Sequence, residues 1–326
     1  MTVIRQKDLI ESVADALQYI SFYHPPDFIR AMTEAYEREE SPAAKAALTQ
    51  VLVNSRMCAL GHRPICQDTG IVIVFLEVGM DVQWDAELSV EEMVNEGVRQ
   101  AYLDSSNPLR ASVLADPEGD RDNTLDNSPA VVHTRIVPGA ELVVEIAAKG
   151  GGSEAKAKFT MLNPSDSVVD WILDVVPTMG AGWCPPGILG VGVGGTPEKA
   201  MLLAKEAMMQ PIDIHELKAR GAQNRAEELR LELYERVNAL GIGAQGLGGL
   251  TTVLDVKVKD YPTHAANKPV AVIPNCTATR HLRFVLDGSG PVVLEPPDLD
   301  DWPDIAFEMG PDVKRVNVDS IEAEEV

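Results

Sequence analysis

Ile71-Val72-Ile73-Val74-Phe75-Leu76-Glu77-Val78, bounded by Gly70 and Gly79, is a β-branched run of strand length and reads as a buried strand. Its neighbours decide the fold class. Upstream, Leu9, Val13, Leu17 and Ile20 recur at three-to-four spacing, Pro25 and Pro26 punctuate, and Phe28, Met32 and Tyr36 repeat the pattern. A third helix starts at Ser41, with Pro42 in its first turn, and runs towards Gly61. Downstream, residues 89–104 return to helix, with Ser89 and Glu92 spaced as a capping box. Strands follow at 130–136 and 142–148, then a helix at 165–176. Past a Gly-rich segment come helices at 197–209 and 222–240 and strands at 253–258 and 270–273. Helices first, then mixed strands and helices, give an α+β fold with an N-terminal helical layer.

The 326 residues include 50 acidic and 28 basic side chains, a net charge of −22, and 45% are apolar. Such a chain can bury a sizeable core and suits one large or two ordinary domains. The acidity argues against nucleic acid and membrane partners, since no run of Lys and Arg offsets it. The longest uncharged stretch, 175–197, carries seven Gly and four Pro and cannot be a lipid-facing helix. Charges at Arg5, Lys7, Asp8 and Glu11 occupy the place where a signal peptide needs an apolar core, so a cytoplasmic location is expected. From Asp287 onward prolines lie among acidic residues. That composition divides the chain into a main domain, 1–286, and an acidic, Pro-rich connector or tail, 287–326.

Three of the four cysteines are crowded by turn residues. They lie in Arg63-Pro64-Ile65-Cys66-Gln67-Asp68-Thr69-Gly70, Gly182-Trp183-Cys184-Pro185-Pro186-Gly187 and Pro274-Asn275-Cys276-Thr277. A thiolate on a tight loop with free backbone amides nearby suits metal or cluster ligation, whereas Cys58, inside a helical pattern, suits the core. Buried thiols remain the plain alternative for all four. Lys149-Gly150-Gly151-Gly152-Ser153 follows a strand, where successive glycines let backbone amides approach an anion. Gly190-Val191-Gly192-Val193-Gly194-Gly195 has the order G-x-G-x-G-G, which does not match a dinucleotide loop. His264 lies twelve residues before Cys276.

Together with Gly194-Gly195-Thr196 and Gly241-Ile242-Gly243-Ala244-Gln245, these motifs resemble the class I fumarate hydratases, in that family's order, across about residues 6–280. The resemblance implies that Cys66, Cys184 and Cys276 ligate a [4Fe-4S] cluster whose open iron acts on the substrate hydroxyl. It implies that Gln67 and Asp68 contact substrate, with Asp68 supporting proton transfer. Arg110 would grip a carboxylate, His264 would be catalytic, and Gly150, Gly151 and Gly152 would present amides to the dicarboxylate. Single-chain members continue into a second domain, and 312–318 looks like the join. The chain therefore resembles an alpha subunit with a separate beta subunit, in a hetero-oligomer that dehydrates malate to fumarate. Tartrate dehydration, a non-catalytic cluster-carrying subunit and a structural zinc protein are the alternatives.

Overall fold

The computed structural model describes residues 2–303 and 305; the expected join at 312–318 and the rest of the acidic end lie outside the described residues. Along the chain run β1 (Thr2–Arg5), α1 (Gln6–Phe22), α2 (Pro26–Arg38), α3 (Pro42–Gly61), β2 (Ile71–Gly79), β3 (Val82–Asp85) and α4 (Val90–Tyr102). Next come β4 (Val131–Val137), β5 (Leu142–Lys149), α5 (Gly151–Glu154), β6 (Lys158–Leu162), α6 (Val168–Met179), β7 (Gly187–Gly194) and α7 (Pro197–Ala207). The last are α8 (Ile214–Arg220), α9 (Arg225–Ala239), β8 (Val253–Tyr261), β9 (Lys268–Asn275) and β10 (His281–Leu286). The α+β class and the helical N-terminal region are as expected. Two compact units divide these elements.

The first unit holds residues up to Pro25, His62–Gly151 and Arg280–Pro297. Its main sheet has the order β10-β5-β2-β4, with β2 antiparallel to β5, parallel to β4, and β10 antiparallel to β5. Alternate residues Val72, Val74 and Leu76 of β2 and Val144 and Ile146 of β5 form one core with Leu9, Val13 and Leu17 of α1 and Val94 and Val98 of α4. Period two in the strands meets period three to four in the helices. The two helices approach closely because α4 has Gly97, where a Cβ would stand 2.7 Å from that of Val13. The Ser89–Glu92 capping box is formed. β1 and β3 make a separate parallel pair. Part of the acidic, Pro-rich region lies along this unit: Val292 N–H donates to Ser12 Oγ at 2.9 Å and Tyr19 OH to the Glu295 carbonyl at 3.1 Å.

The second unit holds Pro26–Gly61, Gly152–Thr279 and the described residues from Asp298. Its sheet has the order β6-β9-β7-β8. The central strand, β7, is the Gly-rich segment. Leu189 and Val191 face a core shared with Ile172 and Val176 of α6 and Leu233 and Val237 of α9. Gly190 and Gly192 alternate with them and face α7, where an added Cβ would lie 2.1 Å from the Ala204 carbonyl oxygen and 2.0 Å from that of Ala200. The glycines therefore serve close helix-on-strand packing.

Beside β8 lies an ionic cluster. Buried Asp255 bonds Lys257 Nζ at 3.0 Å and Arg230 Nη2 at 3.2 Å, and Asp213 pairs with the same two cations. Burial alone would raise the Asp213 carboxyl, yet the hydrogen bonds and charges of Lys257 and Arg230 outweigh it and hold it below the usual carboxylate range.

Two expectations follow. Gly190→Ala should lower the urea midpoint by about 1–3 kcal/mol or more in stability, because the methyl meets helix backbone that cannot rotate away. Asp213 has a depressed folded pKa, so its contribution is present above its unfolded value of about 4 and is lost as pH falls through the folded one. The difference in urea midpoint between the parent and Asp213→Asn should therefore be full at pH 7 and shrink below about pH 4.

Candidate active site

In the first unit the register of three strands gathers residues far apart in sequence. β2 opens with Ile71 opposite Lys149, the last residue of β5, and β10 opens with His281 opposite Ala147. The segments just outside those strand ends, 66–70, 150–151 and 280, therefore share one edge of the sheet. There Asp68 Oδ1 accepts from Gly70 N–H at 3.0 Å and its Oδ2 from Gly151 N–H at 2.7 Å. Arg280, buried at 3% exposure, donates from Nη1 to the Asp68 carbonyl at 2.7 Å. Gly150 leaves the carboxylate room: a Cβ there would stand 3.1 Å from Asp68 Oδ2. Gly70 has φ +83° and its ideal Cβ would meet the Lys149 backbone at 2.7 Å, so only glycine turns the chain into β2 here.

The loop carrying Arg110 is tied to the same edge. Thr69 Oγ1 donates to the Arg110 carbonyl, and the Arg110 side chain is exposed. Asn127, fully buried at φ +61°, accepts from Ser112 N–H at 2.7 Å and Val113 N–H at 3.2 Å, and its Nδ2 donates to the Gly70 carbonyl at 2.9 Å. Tyr102 OH donates to the Thr69 carbonyl at 2.9 Å, and burial pushes its phenol up to about 12, against the pull of Arg280. Half-buried Cys66 and exposed Gln67 are adjacent, with Sγ and Oε1 3.5 Å apart. Sequence reasoning missed Arg280, Asn127 and Tyr102, which lie in none of the quoted motifs' functional positions. The Asn in Asp126-Asn127-Ser128-Pro129 was the one available signal, as a residue type that tolerates positive φ.

The second unit brings Cys184 and Cys276 to one end of its sheet. Cys184 precedes β7 in a left-handed conformation at φ +54°, Cys276 follows β9, and Thr277 N–H donates to the Cys184 carbonyl at 3.1 Å. Gly187 permits that approach, since its Cβ would come within 1.8 Å of the Asn275 carbonyl oxygen and 3.2 Å of the Cys276 Cα. Gly152 packs against the Gly182 carbonyl, just before Cys184.

His264 is placed elsewhere. It stands in the turn between β8 and β9, at the Gly194 end of β7, whereas the cysteines stand at the Gly187 end, about 20 Å away for a strand of this length. It lines a cavity of about 290 Å³ with Lys199, Tyr261 and Asn267, and its Nδ1 accepts from Ala266 N–H at 3.2 Å. The twelve-residue spacing to Cys276 spans the length of β9 and so separates the two side chains.

None of the four cysteines forms a disulfide. Cys58 is buried in α3, its pKa raised to about 11 by burial, and its Sγ lies 3.7 Å from Asn54 Oδ1. Cys66, Cys184 and Cys276 are all at least partly exposed, and soft, accessible thiols suit iron. Among the described residues no group of three or more His, Cys, Asp or Glu side chains is gathered as a metal site. No helix among them is long and apolar enough to cross a membrane.

A carboxylate held by two backbone amides beside a buried guanidinium is a group that acid–base chemistry can use. The chain belongs to the fumarate hydratase (Fumerase) family, whose model matches residues 10–285. It is similar to the Methanocaldococcus jannaschii protein named "Putative L(+)-tartrate dehydratase subunit alpha", 34% identical over 278 residues, which cover 82% of this chain and 94% of that protein. The L(+)-tartrate dehydratase subunit alpha of Escherichia coli O157:H7 is 30% identical over 277 residues, 83% of this chain and 88% of its own length.

Losing Asn127 should release the Arg110 loop. Asn127→Ala leaves two amides without partners and the Gly70 carbonyl with only the Tyr102 hydroxyl at 3.4 Å, so stability should fall by about 1–3 kcal/mol. Hydrogen exchange at Ser112 and Val113 should quicken, while exchange at core amides of β2 should change only by the global loss.

Proposed function

We propose that this chain is the alpha subunit of an iron-sulfur hydro-lyase that removes water from a hydroxy-dicarboxylate, with L(+)-tartrate as its substrate. One observation carries the choice: the relatives named above, aligned over more than four-fifths of this chain and nearly all of their own length, are named for tartrate. Malate is the second reading, favoured by the description of the family model. Four cysteines outside any disulfide suit a reducing compartment, so we place the enzyme in the cytoplasm.

In this reading Cys66, Cys184 and Cys276 hold a [4Fe-4S] cluster, which supplies Lewis acidity towards the leaving hydroxyl. The chain's own residues do the rest. The Arg110 guanidinium takes one substrate carboxylate as a planar fork. The Gly150–Gly152 amides face the other carboxylate, and Gln67, exposed beside Cys66, orients the substrate. Asp68, held by Gly70 and Gly151 before substrate arrives, relays the proton removed from the neighbouring carbon. His264, at the other end of its sheet, takes no step. A separate beta subunit, implied by the alpha designation of the relatives, completes the cleft. One Arg and one carboxylate cannot both neutralise a dianion and position a base. Residues 287–326 would then serve as the connector beside the main domain of 1–286, near the beta subunit.

The test is anaerobic co-purification of the chain with its beta subunit and assay on both substrates. Turnover of L(+)-tartrate with the higher kcat/KM supports the reading; preference for malate replaces the substrate; full activity of the alpha chain alone removes the partner. Cys66→Ser, Cys184→Ser and Cys276→Ser should each abolish bound iron, whereas Cys58→Ser should retain it. Asp68→Asn should lower kcat about 100-fold or more with iron retained. Arg110→Lys should act chiefly on KM.

A further inference from the structure

Asp68 occupies an amide that the functional reading reserves for substrate. Its Oδ2 takes Gly151 N–H at 2.7 Å. Beside it, Arg280 uses Nη1 on the Asp68 carbonyl, while its Nε and Nη2 have no hydrogen-bond partner among the described residues. Those two nitrogens form one edge of the guanidinium, with parallel N–H bonds that match the two oxygens of a carboxylate. Buried donors left without acceptors are costly, so this edge has an acceptor in some working state of the protein. Gly150 measures the gap. A Cβ there would stand 3.1 Å from Asp68 Oδ2 and 3.6 Å from Arg280 Nη2, so carboxylate and empty edge border the same small space.

Resting on the functional reading above, we propose that Arg280 is a positioning residue that receives the Asp68 carboxylate on its Nε–Nη2 edge when a dicarboxylate takes the Gly151 amide. The liganded state then fills the Arg280 donors that the ligand-free state leaves empty. Without ligand, Asp68 fills Gly151 N–H; with ligand, the incoming carboxylate fills it and Asp68 fills Arg280. The backbone need not move, because Arg280 Nη1 already pins the Asp68 carbonyl and the change is a side-chain rotation. Arg280 does not grip the ligand itself: its guanidinium is closed off from solvent at 3% exposure. The exchange also re-aims Asp68, so the proton relay is oriented only when substrate is present.

A double-mutant cycle tests this on the alpha–beta holoenzyme, reading the affinity for succinate, a dicarboxylate with no hydroxyl to eliminate, by anaerobic calorimetry. Arg280→Gln should weaken succinate binding about 10- to 100-fold with iron content unchanged. In an Asp68→Ala background the same substitution should change the affinity less than about twofold, because there is no carboxylate left to receive. Equal weakening in both backgrounds would mean that Arg280 binds the ligand directly and would overturn the proposal, as would no weakening in either. If Arg280→Gln does not accumulate folded, Arg280→Lys enters the same cycle; it keeps the charge without the parallel donors and should show a smaller loss with the same dependence on Asp68. Turnover of neither tartrate nor malate by the unmutated holoenzyme would instead sink the functional reading, and this proposal with it.

Discussion

The register of β5 against its two antiparallel neighbours is the constraint on which the first unit's chemistry depends. With Ile71 opposite Lys149 and His281 opposite Ala147, the residues just beyond three strand ends are forced onto one edge. A slip of one residue would turn every side chain of the slipped strand to the other face and expose Val144 and Ile146. The apolar core therefore fixes the register, and the register fixes the meeting of Asp68, Gly151 and Arg280. Apolar burial acts here at a distance of several residues from any polar group it positions.

The second unit uses the same device with different materials. β7 lies between an antiparallel β9 and a parallel β8, so Cys184 before β7 and Cys276 after β9 must share an end. A strand with glycine at 187, 190 and 192 would be weak alone. It is stable here because α7 comes closer than any side chain would allow, and Leu189 and Val191 on the opposite face supply the apolar area. The loop cysteines inherit the rigidity of a fully buried strand.

Much of this was legible in the sequence. The runs α1, β2, α4 and β5 stand within a few residues of their expected bounds, because α1 and α4 each have one apolar face and β2 and β5 are largely apolar runs of strand length. The Gly-rich segment was legible only as something that could not face lipid; its identity as a central strand depends on α7, which no local pattern announces. β6 and β10 have exposed residues on alternate positions and little apolar contrast, and α8 is a single short turn-rich helix. Asp68, Gly150 and Gly151 stood out through turn residues and a glycine run. Arg280 did not, since a single arginine after a cysteine loop acquires meaning only from the strand register that carries it to Asp68. His264, whose role rests on the resemblance alone, shows the converse: it is twelve residues from Cys276 in sequence, and an intervening strand converts that spacing into distance.

The acidity of the chain gives these local contacts their weight. A dianion approaching a protein of net charge −22 meets unfavourable long-range potential, so binding depends on fixed donors at short range, where screening and distance no longer matter. Backbone amides are suited to that task because they carry partial positive charge without titrating and cannot swing away from the sheet that holds them. The same amides would draw in any nearby carboxylate, and the Gly151 amide has taken that of Asp68. On the proposed reading Asp68 is thus a built-in competitor for the anion. A buried cation with a free edge resolves the conflict, since it gives the displaced carboxylate a second place to bind and converts competition into orientation of the proton relay.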